Sequence, residues 1–200
     1  TTSFLVFYSI VQATFLLKGE GLDKIVLCSP LLEFSKTKTQ DLWLAVVPST
    51  SSIVPTCEDS SALFSPFRIK IRGNSSARFT KKQYLLKLPK HSKPQTLFAG
   101  LAPGKKWVLG APYVDRTLIR NALVYRVGRE LEKDSSTTYF APRTKFVELY
   151  KNNDYQGVYL ASDKIARSHD LVNTPKFRAS IRRPEAAPFI LQITSPSHDF

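Results

Sequence analysis

Hydrophobic and polar positions alternate most regularly between Phe67 and Leu88. Phe67, Ile69 and Ile71 interleave with Arg68, Lys70 and Arg72, the period-two pattern of a strand with one apolar and one basic face. Gln83 to Leu88 predicts a second strand, with Tyr84, Leu86 and Leu88 on one face and Lys87 on the other. Leu42 to Val47 is a short apolar run ended by Pro48, which predicts a buried strand. After Asp115-Arg116-Thr117 the period lengthens: Leu118, Ile119, Ala122, Leu123, Val127 and Leu131 recur at helical spacing. This predicts one long helix that packs an apolar face, with Asp115 as its N-cap. Phe146 to Tyr150 and Gly157 to Leu160 flank an Asn-Asn-Asp centre, the turn chemistry of a β-hairpin. Phe189 to Ile193 predicts a last strand, and Asp134 to Tyr139 a turn. Ser49 to Ser65 and Pro89 to Gly104 read as loops, residues 18 to 41 have no strong period, and Ile165 to Arg183 is basic and irregular. The expected fold class is therefore α+β, an antiparallel sheet with one long helix.

Composition bounds this picture. A chain of 200 residues with 42% hydrophobic and 12% aromatic content can bury a core. Residues 66–200 are expected to form one lobe, preceded by an extension over residues 1–65 with strands of its own. Phe4 to Leu17 is too short for a membrane span and is read either as the apolar part of a secretory signal or as a strand. Cys28 and Cys57 fit one disulfide or two buried thiols. His91, His169 and His198 are isolated, and no Cys/His group has zinc-ligand spacing.

Charge adds a direction. The net charge is +13, which implies an anionic partner. No Asp or Glu lies between Asp59 and Asp115, where Arg68, Lys70, Arg72, Arg78, Lys81, Lys82, Lys87, Lys90, Lys93, Lys105 and Lys106 all fall. Arg72-Gly73-Asn74-Ser75-Ser76 joins the two strands and offers backbone N–H groups and hydroxyls to an anion. A merely solvated basic surface and a nucleic-acid surface are the competing readings. Against the latter, the aromatics follow the strand pattern and form no stacking series.

Six segments together resemble the spore-coat protein H (CotH) kinase family. They are Arg72-Gly73-Asn74-Ser75-Ser76 with Lys81-Lys82-x-Tyr84 and Lys87; Trp107-Val108-Leu109; Asp115 with Leu118-Ile119-Arg120-Asn121; Tyr139-x-Ala141-Pro142-Arg143-Thr144; Phe146-Val147-Glu148-Leu149-Tyr150; and Tyr155-Gln156-Gly157-Val158-Tyr159-Leu160. The resemblance runs from about Phe67 to about Lys164. It implies the small lobe of an atypical protein-kinase-like fold that uses ATP and Mg2+ to phosphorylate Ser/Thr of a protein substrate at a cell or spore surface. By this resemblance Arg72, Gly73, Asn74, Ser75 and Ser76 cover the triphosphate, and Lys87 reaches the phosphates, with Lys81 and Lys82 as alternatives. Glu148 and Arg120 hold that lysine or orient the phosphates, and the segment with Ser162 and Asp163 meets adenine. A cross-strand ion pair between Lys87 and Glu148 is the plainer reading of those two residues.

This chain also departs from the family. The family's metal-binding and catalytic aspartates lie in segments like Asn-x-x-x-Asp and Trp-Asp-x-Asp, and neither appears here in its context. Asp163 stands where the family has Glu before Lys-Ile, and Leu191-Gln192-Ile193-Thr194 carries an amide and a hydroxyl in place of carboxylates. The expectation is an ATP-binding portion without its catalytic lobe, inactive alone. The alternative is a non-catalytic basic module, a pseudokinase or polyanion binder.

Overall fold

The structure, a computed structural model, describes residues 21–59, 63–134, 140–166 and 171–172. The expected segment at 4–17, the turn beyond Asp134 and the strand at 189–193 lie outside the described residues. The chain divides into two compact units, one to Lys164 and one from Ile165 onward.

The described residues of the first unit form seven strands: β1 (Asp23–Cys28), β2 (Gln40–Val47), β3 (Ser65–Arg72), β4 (Gln83–Lys87), β5 (Lys106–Gly110), β6 (Thr144–Lys151) and β7 (Asp154–Asp163). A helix, α1 (Arg120–Asp134), lies between β5 and β6. The strands pair in the order β1-β2-β3-β4-β5-β7-β6, and β6 returns to β1, so the sheet closes into a barrel. All pairs are antiparallel except β1 with β6, which run parallel with Lys24 opposite Glu148. This overturns the α+β expectation: the described residues form a closed mixed β-barrel with one α-helix among them, not an antiparallel small-lobe sheet. Closure removes both free sheet edges and their unpaired backbone groups. β1 supplies the closing stave, and an Asp23–Lys145 ion pair at 2.6 Å fastens the β1–β6 seam.

Alternation decides what faces inward. Ile25, Leu27, Leu42, Leu44, Phe67, Ile69, Tyr84, Leu86, Trp107, Leu109, Val147, Leu149, Tyr159 and Ala161 share one buried cluster inside the barrel. Phe98 and Leu101, from the β4–β5 connection, join it, as does Phe34 from the β1–β2 loop. The expected strand at 42–47 is thus present, but Trp43 points outward and is half exposed. A second cluster outside the wall unites Val26, Ala45 and Phe64 with Cys28 and Cys57. Those two cysteines form a disulfide with a sequence separation of 29.

The hairpin forms as the sequence predicts. Asn152 and Asn153 take φ of 49° and 71°, the paired left-handed conformation of a two-residue turn matched to strand twist. The helix also forms, but starts at Arg120. Asp115 still acts as its cap from five residues upstream, Oδ2 accepting the Arg120 N–H at 3.0 Å and Oδ1 the Thr117 hydroxyl at 2.7 Å. The Thr117 hydrogen bond, ahead of the backbone N–H groups and Arg120, holds the Asp115 carboxyl below the usual range.

The helix differs from expectation in its packing. Ile119, Leu123, Val124, Val127 and Leu131 are 49–66% exposed, so the apolar stripe is not its docking face. Its anchor is polar, with Arg129 Nη1 donating to Pro142 O at 2.6 Å. Replacing Leu123 and Val127 together with lysine is therefore expected to change unfolding free energy by no more than about 0.5 kcal/mol per site. Denaturant titration checks this, and a loss above about 2 kcal/mol would mean that the stripe is covered.

Candidate functional site

The two basic strands pair as the alternation requires. Arg68 lies opposite Lys87, Lys70 opposite Leu85, and Arg72 opposite Gln83. Because Phe67, Ile69, Tyr84 and Leu86 fill the barrel, Arg68, Lys70, Arg72 and Lys87 stand on its outer face. β5 adds Lys106 directly beside Lys87. Four cations, Arg68, Lys70, Lys87 and Lys106, thus share one outer patch on β3, β4 and β5.

The electrostatics register this crowding. Partial burial, then the like charges of Lys70, Lys106 and Arg68, push the Lys87 ammonium below its ordinary pKa. Burial, then Arg72 and Lys106, does the same to Lys164. Lys87 Nζ donates to Thr39 Oγ1 at 3.2 Å, a neutral partner. Arg68 meets Asp41 at 3.5 Å, but that carboxylate is almost fully exposed and screens little. Above the cationic row, Lys70, Leu85, Val108 and Ser162 form a row across β3, β4, β5 and β7. Leu85, Val108 and Ser162 in that row are buried although they point away from the core.

The 73–82 loop crowns the same strands. Gly73 has φ of 105°, and a Cβ there would collide with Ser76 Oγ, so only glycine fits this turn. Residues Ser75–Arg78 form a single 3-10 turn. Gly73, Asn74 and Ser75 are exposed and Ser76 half-buried, so the loop is open to solvent. Lys82 is spent on the loop itself, donating to Ala77 O at 3.0 Å. Lys81 turns toward the barrel mouth, where it donates to Val158 O at 2.7 Å and lies 4.7 Å over the Tyr159 ring. Burial lowers its pKa. Gly157, at φ 85°, leaves the room it needs, since a Cβ there would stand 3.1 Å from Lys81 Nζ.

The other residues expected in the site scatter. Lys87 lies four positions down β4 from Gln83, roughly 13 Å from the loop end of the strand. Arg120 is exposed and paired with Asp115 at 3.5 Å. Glu148 stands on the outer face of β6, accepting the Tyr155 hydroxyl at 3.3 Å. β6 and β4 are not neighbours, so Lys87 and Glu148 form no cross-strand pair. Ser162 falls in the outer row beside the patch. Asp163 points inward, Oδ1 accepting Ala102 N–H at 3.0 Å and Oδ2 the Arg143 N–H and Nε at 3.2 and 3.0 Å.

Structure therefore brings Lys87 beside Arg68, Lys70 and Lys106 with Ser162 in the adjoining row, whereas Arg72 lies at the loop end of β3, four positions from Arg68, with its charge felt at Lys164. The alternation in Phe67 to Arg72 already placed Arg68, Lys70 and Arg72 on one face. Only strand register could show that Lys87 and Lys106 complete it. This set of cations suits an anionic ligand with several oxygens. Among the described residues no three His, Cys, Asp or Glu converge as metal ligands, so those residues do not by themselves fit Mg2+.

A family model described as CotH kinase protein matches residues 69–197. No curated protein matches the chain. The match starts within β3, just after Arg68, and takes in the 73–82 loop, Lys70, Lys87 and Lys106, α1 and the hairpin, continuing past Lys164, near which the resemblance read from the sequence ends. Spanning well over half of the chain, it shows that the chain belongs to the CotH kinase family.

Proposed function

We propose that the outer patch on β3, β4 and β5 binds the phosphates of Mg-ATP, as the nucleotide-binding portion of a CotH-type kinase acting on Ser/Thr of a surface or coat protein. The observation that carries this reading is the crowding of Lys87 by Lys70, Lys106 and Arg68. A phosphate entering there converts mutual repulsion into charge-assisted hydrogen bonds. Arg72, near enough to Lys164 to act on its charge alongside Lys106, links the patch to the 73–82 loop. Phosphoryl transfer depends chiefly on positioning and charge neutralisation, and this face supplies the second. A surface location is supported by the Cys28–Cys57 disulfide, since such bonds persist in oxidising compartments.

The test is calorimetric titration with Mg-ATP and, separately, a DNA oligomer at two salt concentrations. Saturable 1:1 nucleotide binding, weakened about tenfold or more by Lys87→Ala, supports the reading. No nucleotide saturation, together with DNA binding that falls steeply with salt, would replace it with a polyanion surface.

A further inference from the structure

A second feature lies where the ends of β1 and the β6–β7 turn meet the disulfide. A shallow cleft of about 360 Å³ is lined by Cys28, Pro30, Trp43, Cys57, Glu58 and Asn153, together with Ser29 and Asn152. Its walls are held rigidly. Asn152 N–H donates to Leu27 O at 2.8 Å, and Asn152 Oδ1 accepts Ser29 N–H at 2.9 Å. Asn153 Oδ1 accepts Cys57 N–H at 2.8 Å while its Nδ2 donates to both oxygens of Glu58, at 2.9 and 3.2 Å. The turn that closes the hairpin thus also clamps the disulfide loop and aligns a carboxylate.

Two groups in the cleft remain open to a guest. The Trp43 side chain is 50% exposed on the outer face of β2, and the Glu58 carboxylate, steadied by Asn153, its own backbone N–H and Thr56, is exposed to solvent. The Asn153 bond holds the Glu58 carboxyl below its usual range, so it is ionised at neutral pH. An aromatic face beside a fixed anion attracts a cation through both ring quadrupole and charge. The amide and hydroxyl oxygens that a sugar would use are committed: those of Asn152 and Asn153 as above, and Ser29 Oγ to Leu31 N–H.

We propose that this cleft is a docking site for a cationic side chain, guanidinium or ammonium, of a protein partner, with Trp43 as its stacking face and Glu58 as its counter-ion. Charge complementarity selects this occupant: among the described residues Glu58 is the only ionisable side chain lining the cleft, and it is an anion on a strongly basic protein.

Fluorescence reads this directly. The chain has two tryptophans, and Trp107 is 1% exposed inside the barrel, so ligand-dependent quenching reports Trp43. Titration of the whole chain with N-acetyl-arginine amide is expected to give saturable quenching. Trp43→Phe removes the signal, and Glu58→Gln weakens binding about fivefold or more while leaving the circular dichroism spectrum unchanged. No saturable change, equal affinity in Glu58→Gln, or quenching by a neutral methyl glycoside in place of the cation overturns the proposal.

Discussion

Replacing Asp163 with alanine is expected to cost the fold about 2–4 kcal/mol, measured as the loss of unfolding free energy in urea. Its side chain is 2% exposed, and three N–H groups converge on it from two separate segments. Ala102 belongs to the connection whose Phe98 and Leu101 close one end of the barrel core. Arg143 stands just before β6. Removing the carboxylate strands the buried Ala102 N–H and takes a counter-ion from the Arg143 guanidinium. Arg143 is itself 37% exposed, so water recovers part of that loss and the lower half of the range applies if the loop relaxes. Asp41→Ala is the control, because its contact with Arg68 is at the surface and is worth no more than about 1 kcal/mol. Equal effects from the two substitutions would show that Asp163 does not tie these segments together.

Reducing the Cys28–Cys57 disulfide, or replacing both cysteines with serine, is expected to lower stability by about 3 kcal/mol. A bridge of sequence separation 29 restricts the unfolded chain by roughly 3.5 kcal/mol in the loop-closure picture. The native loop is also held by the Asn153 bonds to Cys57 and Glu58 and by the Val26–Ala45–Phe64 cluster. Reduction should therefore loosen the connection between β2 and β3 before it opens the barrel. Limited proteolysis with and without reductant checks this. Faster cleavage within residues 48–64, with the strand ladder still protected from hydrogen exchange, is the expected pattern; unchanged cleavage and stability would remove the bridge from the account.

The sequence was most legible where local chemistry decides the outcome. Alternation in Phe67 to Arg72 and Gln83 to Leu88 requires two half-buried strands, and Asn152-Asn153 can adopt the left-handed conformations of a tight turn. Gly73 was readable as a turn residue for the same reason. The six spaced segments also carried the family, which the match over residues 69–197 bears out.

What the sequence alone determined, then, were the strands at 42–47, 67–72 and 83–88, the 152–153 hairpin and the basic face, because each depends on residues within a few positions of one another, and the family, because six such local segments occur in order. Tertiary structure decided the rest. Asp23–Cys28 is six residues with little periodicity, and only its pairing with both β2 and β6 makes the sheet a closed barrel. The apolar period of α1 was real, yet its face stays exposed, because periodicity states which residues share a side and not what lies opposite. Lys87 was separated from Glu148 and joined to Lys70 and Lys106 by strand order and register, quantities set by long-range hydrogen bonding that no local pattern encodes.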